Sequence, residues 1–360
     1  MIVIGLDIGG ANIKIADADG NTASRSLAMW KHHAQLPSAL TEIVAEKFGA
    51  PDLIGLTMTA ELADCFSTKA DGVAYVINCV REAFPKAVLR TWLTSGEFAE
   101  PEDALELPEL VAAANWHAQA TWAARCVPHA PAILIDVGST TTDIIPLLDG
   151  MPIPEGRSDV ARLLSGELVY SGWLRTPVCA VVQTVQINDR TCPVAAELFA
   201  TTADAWLVAG LIDERPDCDN TADGRPLVLA HSLNRLAHML CCDATEISEC
   251  TLGEIAGQIV AAQCSQIRDA FTKVLTLLEQ NLNEQHRSLK SERPVVLISG
   301  SGAFVAERVL DEFFPEGTGD RMVLSQMFYR PIAEHACAFA VARLAHDLCR
   351  DDLLEEVPFV

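Results

Sequence analysis

The chain has 360 residues, 50% of them hydrophobic, and sets 26 Lys and Arg against 49 Asp and Glu, a formal charge of −23. That length and composition suit two domains or one large duplicated domain with an ample core, and they exclude a disordered chain. A pI near 4.7 argues against general attraction to nucleic acid or anionic lipid, and no apolar run reaches the roughly 20 residues of a membrane span.

In chain order, residues 2–6 read as a strand without the basic start of a secretion signal. A glycine turn at 7–12, a β-like run at 13–16 and the turn Asp19-Gly20 complete a predicted hairpin. Strands are predicted at 53–58 and 87–93, and helices at 74–84 and 108–125. The opening pattern then restarts: strand 132–135, polar glycine turn 136–141, strand 142–147 and tight turn Asp149-Gly150. LDIGGANIKIADADG and IDVGSTTTDIIPLLDG are one unit used twice, about 130 residues apart, which implies two similar halves related by a pseudo-twofold. The division expected is 1–130 for the first half and 131–360 for the second, with a polar insertion around 155–230. Helices are predicted at 197–211, 226–240 and 247–282. Strand 294–298 ends in Ser299-Gly300-Ser301-Gly302, and helices follow at 303–313 and 332–349. The acidic loop 213–224 fails the calcium-loop pattern, because Thr221 and Ala222 stand where an acid and a glycine belong.

The 12 cysteines contain no CxxC pair, so neither a zinc ribbon nor a thioredoxin motif is supported. They read as reduced, mostly buried thiols of a cytoplasmic protein. The nine histidines form no H-x-x-x-H pair, and His231 and His238 stand too far apart for one metal ion.

Three glycine turns follow apolar strands. Glycines there let backbone N–H groups converge on an anion. The first supplies Gly9, Gly10 and Asn12, the second Gly138 with the hydroxyls of Ser139, Thr140 and Thr141, and the third Gly300, Ser301 and Gly302. The helix after Gly302 would point its positive end at the same space. Asp7 and Asp136, each at a strand end before its turn, are candidates to hold a hydrated Mg²⁺ beside bound phosphates, and Lys14 would add a point charge.

Asp7-Ile8-Gly9-Gly10, Asp136-Val137-Gly138-Ser139-Thr140 and Ser299-Gly300-Ser301-Gly302 resemble the two phosphate motifs and the adenosine motif of the actin/sugar kinase/Hsp70 superfamily. Within it the chain resembles the hydantoinase A/oxoprolinase group, and closer still a short subgroup named for tetrahydromethanopterin-linked C1 transfer. The resemblance covers nearly the whole chain. It is carried by the words at 57–66, Gly156-Arg157-Ser158-Asp159, Gly166-Glu167-Leu168-Val169-Tyr170, Arg175-Thr176-Pro177 and Asp223-Gly224-Arg225-Pro226. It implies an α/β protein with a duplicated ribonuclease H-like (actin-like ATPase) fold, two halves around a phosphate-binding cleft. The subgroup includes an archaeal methanofuran synthase, which implies condensation of a furfuryl-type diphosphate with a phenolic acceptor and release of pyrophosphate. The expected partners are these small molecules, and a homodimer is compatible with the reading. The chain is much shorter than hydantoinase A and carries Lys14 in its first hairpin, which weighs against ATP-driven ring opening.

In that chemistry Glu61 or Asp64 could take the proton of the attacking hydroxyl; the alternative is a capping cluster. Arg157 and Arg175, with Arg162, could bind the departing diphosphate; the alternative is salt bridges to Asp159 and Glu167. Tyr170 could stack on an aromatic substrate or pack in the core. The rival functions are an ATP-dependent kinase or hydantoinase/oxoprolinase-type hydrolase, and a non-catalytic ATP-binding regulatory protein.

Overall fold

The opening hairpin forms where the glycine turn requires it. β1 (Val3–Ile8) and β2 (Asn12–Asp17) pair antiparallel, and the Gly9 N–H closes the turn on the Asn12 carbonyl at 2.9 Å. β3 (Thr22–Ser26) pairs with β2. On the other side of β1 lie β4 (Leu53–Met58) and β5 (Val88–Trp92), both parallel, with β6 (Phe98–Ala99) at the edge. The first sheet therefore runs β3-β2-β1-β4-β5-β6. Every residue of β1 and β4 is buried, as in a sheet covered on both faces. This computed structural model describes residues 1–314, 320–328 and 330–355, with side chains to residue 348 except at 330 and 331.

The second sheet repeats the plan. β7 (Ala132–Val137) and β8 (Thr142–Leu148) form the second hairpin, closed by the Gly138 N–H on the Thr141 carbonyl at 2.8 Å. β9 (Met151–Pro152) and β10 (Leu168–Val169) pair with opposite ends of β8 and divide the place that β3 fills in the first sheet. After a separate ribbon of β11 (Thr184–Ile187) and β12 (Arg190–Pro193), β13 (Val295–Ser299) runs parallel to β7 and β14 (Asp320–Val323) parallel to β13. Each half is thus an antiparallel hairpin extended by parallel strands, a duplicated ribonuclease H-like fold.

Two helices join the halves. Asn115–Ala124 packs on β8 and β9, although its chain neighbours belong to the first sheet. Ala336–Glu355 comes from the end of the chain and packs on β1, β2 and β4. A division at 130/131 separates the two sheets along the chain, but the helices are exchanged across it. The closing helix approaches so closely that only glycine fits beneath it. Gly5 and Gly55 are register partners, and a Cβ on Gly5 would lie 2.0 Å from the Ala338 carbonyl oxygen. Trp116, Ala120, Leu134, Ile145, Leu297, Ala338 and Phe339 share the cluster between the sheets.

Several elements differ from their sequence-based bounds for local reasons. The helix expected over 108–125 breaks into Pro108–Val111 and Asn115–Ala124, because Ala113 adopts a left-handed φ of 50°. The helix expected from 74 begins earlier, as Lys69–Ala83, where Thr68 and Asp71 cap its N-terminus reciprocally. A second capping box, Thr201 with Asp204, starts Thr202–Val208 inside the stretch expected to be helical from 197. The polar composition of 155–230 conceals buried side chains. Glu167 accepts from the N–H groups of Glu155 and Gly156 and from Ser165, while Asp204 and Arg235 pair at 2.7 Å, both buried. All eleven described cysteines are free thiols, and no described helix is long and apolar enough to cross a membrane.

Candidate functional site

The duplication places like residues at like positions. Asp7 ends β1, with Lys14 opposite on β2 and Thr57 opposite on β4. Asp136 is its counterpart on β7, with Asp143 opposite on β8 and Ser299 opposite on β13. One hairpin therefore carries an acid and a base, and the other carries two acids. The second acid has its own cation: Arg162 donates to Asp143 at 2.6 Å and to the Glu167 carbonyl at 3.0 Å.

The two hairpins face each other. Burial raises the Asp7 carboxyl above its usual range; Lys14 and a 3.4 Å bond from Thr57 oppose the rise, and the Asp136 charge adds to it. Between the hairpins lies Cys337, from the closing helix. Burial raises its thiol strongly, and Asp7 and Asp136 raise it further. Cys337 donates to the Gln119 Oε1 at 3.1 Å, and Gln119 donates to the Ser299 hydroxyl at 2.9 Å. The cleft floor is thus built by the two exchanged helices and β13. Gly9, Gly10, Gly138, Ser139, Thr140 and Thr141 are all partly accessible, and Asn12 is exposed, so both turns can meet a ligand.

The third turn sits against the second. Gly300 has φ of 88°, and a Cβ there would lie 2.2 Å from the Val137 carbonyl oxygen and 2.9 Å from Asp136 Oδ1. Only glycine permits this approach. Trp173 covers Gly302, whose added Cβ would meet the indole at 2.7 Å, and it donates to the Ser301 hydroxyl at 2.8 Å. Arg215 in turn lies over Trp173, 4.5 Å from its ring centre. Gly300 and Gly302 therefore pack the cleft wall.

The remaining expected residues separate. Glu61 lies in the short turn Ala60–Leu62 after β4, is 2% exposed, and has an Oε2 without a hydrogen-bond partner. Burial pushes its carboxyl up to about 7, against the N–H groups of Glu61 and Ala113 and the Lys69 ammonium. Asp64 is exposed. Arg175 anchors its N–H on the Ser139 carbonyl at 2.9 Å, beside the second phosphate turn. Arg157 is exposed, and its charge helps to depress His117. Asp159 does not pair with these arginines; it bridges to Lys69 at 3.3 Å, and Tyr170 is exposed. Sequence reasoning missed Asp143, Gln119, Cys337 and Trp173. Only Asp143 left a signal, as the residue that aligns with Lys14 in the repeat.

Comparison with known proteins decides the family. The hydantoinase/oxoprolinase family model matches residues 52–347. The chain belongs to the hydantoinase/oxoprolinase family. A relative from Methanocaldococcus jannaschii is 31% identical over 347 residues, covering 96% of this chain and 97% of its own. It is named a (γ-L-glutamylaminoethyl)phenoxymethylfuran methanamine synthase. A second, of the same name, from Methanococcus vannielii is 41% identical over 215 residues, 59% of this chain and 89% of its own. Among solved structures, nucleotide-free acetone carboxylase matches with a TM-score of 0.48 at 14% identity, over 91% of this chain and 51% of its own. The archaeal actin homologue Ta0583 with ADP gives 0.41 at 15%, over 97% of this chain and all of its own. Both relatives carry the name of a synthase.

Proposed function

We propose that the protein condenses a furfuryl-type diphosphate with a phenolic acceptor, forming an ether and releasing pyrophosphate, in biosynthesis of a methanofuran-like C1 carrier. The observation that carries the reading is the meeting of two phosphate hairpins around Asp7, Lys14 and Asp136, with the third turn covered by Trp173. A cleft so arranged suits a diphosphate. The relatives' names supply the furan and the phenol.

The C–O bond from the furfuryl carbon to the diphosphate breaks with its electron pair on the leaving oxygen. The N–H groups of Gly10, Ser139 and Thr140, the hydroxyls of Ser139 and Thr140, and Lys14 would take that growing charge, with Arg175 beside them. The residues also fit Mg²⁺. Two carboxylates that repel each other in a buried site are suited to a cation, and Mg²⁺ needs only one or two carboxylates plus substrate oxygens. Asp7 and Asp136 would hold it. Mg²⁺ bound there would neutralise diphosphate charge and make pyrophosphate a better leaving group.

The resonance-stabilised furfuryl carbon is then attacked by the phenol oxygen, and the phenolic proton passes to Glu61. Glu61 suits this role better than Asp64: it is buried, carries a free oxygen and titrates near neutrality. Product analysis tests the proposal. The protein, supplied with Mg²⁺, an aminomethylfuran methyl diphosphate and a tyramine derivative, should yield ether and pyrophosphate without ATP. Formation of ADP from ATP, stimulated by a hydantoin or oxoproline, would replace this reading with the kinase or hydrolase one.

A further inference from the structure

The pseudo-twofold gives each cleft aspartate a hydroxyl on the neighbouring parallel strand. Thr57 on β4 is the register partner of Asp7, and Ser299 on β13 is the register partner of Asp136. Register partners on adjacent parallel strands place their side chains on one face of the sheet. Thr57 donates to Asp7 Oδ1 at 3.4 Å. Ser299 is equally buried, yet its hydroxyl accepts a bond from Gln119 and its own proton has no acceptor among the described residues. The Asp136 carboxylate is turned toward the same strand end: a Cβ on Gly300, the next residue, would stand 2.9 Å from Asp136 Oδ1.

A one-way chain of hydrogen bonds reaches Ser299 from behind. Asn115 Nδ2 donates to Cys337 Sγ at 3.8 Å, Cys337 donates to Gln119 Oε1 at 3.1 Å, and Gln119 Nε2 donates to the Ser299 hydroxyl at 2.9 Å. Asn115 sets the direction, because its amide nitrogen can only donate. Were the Gln119 amide reversed, its NH2 would face a thiol that already accepts from Asn115, and the thiol proton would lose its acceptor. Gln119 therefore presents its oxygen to Cys337 and keeps Nε2 for Ser299. The serine oxygen is then an acceptor, and its single proton is the free end of the chain. Gln119 and Ser299 are each 2% exposed, so bulk water does not compete for these bonds.

We propose that Gln119 is a positioning residue for Asp136 and acts through Ser299. It holds the serine hydroxyl so that its proton goes to one oxygen of the Asp136 carboxylate, which leaves the other oxygen aimed at the ion and the diphosphate. The two halves reach the same end by different routes. Thr57 is β-branched and stiff at χ1, so it needs no outside hold to donate to Asp7. Serine turns freely and needs the amide behind it. Because Gln119 stands on the exchanged helix Asn115–Ala124, the aim of Asp136 depends on how the two halves are joined. The inference rests on the diphosphate reading and deepens it by naming what holds one of its carboxylates.

Calorimetric titration of Mg²⁺ into the full-length protein, with pyrophosphate present, reads the chain without turnover. Ser299→Ala should weaken Mg²⁺ binding by about 10- to 100-fold, the usual loss when the partner of a metal-bound carboxylate is removed. Gln119→Met, similar in volume but without the amide, should weaken it in the same direction by about tenfold. The double variant should bind no more weakly than Ser299→Ala alone, because the amide acts only through the hydroxyl. Circular dichroism confirms the fold of each variant, and Ser299→Ala, which removes a single oxygen, carries the test if Gln119→Met does not fold. Ser299→Ala within twofold of wild type overturns the proposal. So do losses that add in the double variant, the mark of two separate structural effects. A wild-type protein whose pyrophosphate binding ignores Mg²⁺ overturns the diphosphate reading itself, and this inference with it.

Discussion

Replacing Glu61 with Gln should make the protein more stable at alkaline pH and much less active. The carboxyl is buried, and its pKa is pushed from 4.5 to about 7. The folded state then holds a proton that the unfolded chain has already released between those values, so stability falls as pH rises through that window. At 1.36 kcal/mol for each pH unit, the gap costs about 3 kcal/mol once both states are ionised. Glu61→Gln removes that cost while keeping the shape. Urea unfolding at pH 5 and pH 8 should show the variant gaining on wild type by about 2–3 kcal/mol at the higher pH. Single-turnover ether formation should fall by roughly 10²–10⁴, the usual worth of a positioned base. The wild-type rate should rise through pH 7, and the variant should lose that limb. Equal stability changes at the two pH values would refute the burial argument, and a variant rate within threefold of wild type would refute the assignment of the base.

Asp7→Asn or Asp136→Asn should lower turnover at least about 10²-fold with the fold intact; unchanged Mg²⁺ dependence in a kinetic titration would remove both from the metal site. Gly300→Ala should cost about 1–3 kcal/mol from its backbone conformation alone, with a further loss as the new methyl displaces Val137 or Asp136; denaturant unfolding and pyrophosphate titration should both register it. Arg162→Met should cost about 1–3 kcal/mol, because the partly exposed Asp143 loses its charged hydrogen-bond partner. Adding Asp143→Asn should recover part of that loss, and a single variant within 1 kcal/mol of wild type would deny the pair its structural role.

The repeat made the duplicated hairpins and their paired aspartates legible, because a strand, a glycine turn and an acid recur in the same order. Local spacing could not show what the register adds. Lys14 and Asp143 occupy the same place in the two halves, yet their opposite charges make one hairpin self-neutralised and send the other to Arg162 for its cation. Gln119 and Cys337 were invisible because they reach the cleft from helices that exchange between halves, 218 residues apart in sequence. The stretch 155–230 read as a polar insertion since its buried residues are charged. Arg162, Glu167, Asp204 and Arg235 hide their charges through pairing and hydrogen bonding rather than exposure. Three arginines looked equivalent in the sequence, and the fold gives them different surroundings: Arg162 is buried and paired with the partly exposed Asp143, Arg175 lies at the second phosphate turn, and Arg157 is exposed.

The central claim is that the two hairpins hold one diphosphate between them. A crystal structure of the protein soaked with Mg²⁺ and pyrophosphate measures this directly. The account predicts pyrophosphate oxygens on the N–H groups of Gly10, Ser139 and Thr140 and near Lys14, with Mg²⁺ between Asp7 and Asp136. Pyrophosphate bound elsewhere, or a cleft that takes only an adenine nucleotide after Trp173 swings off the Ser301 turn, would contradict it.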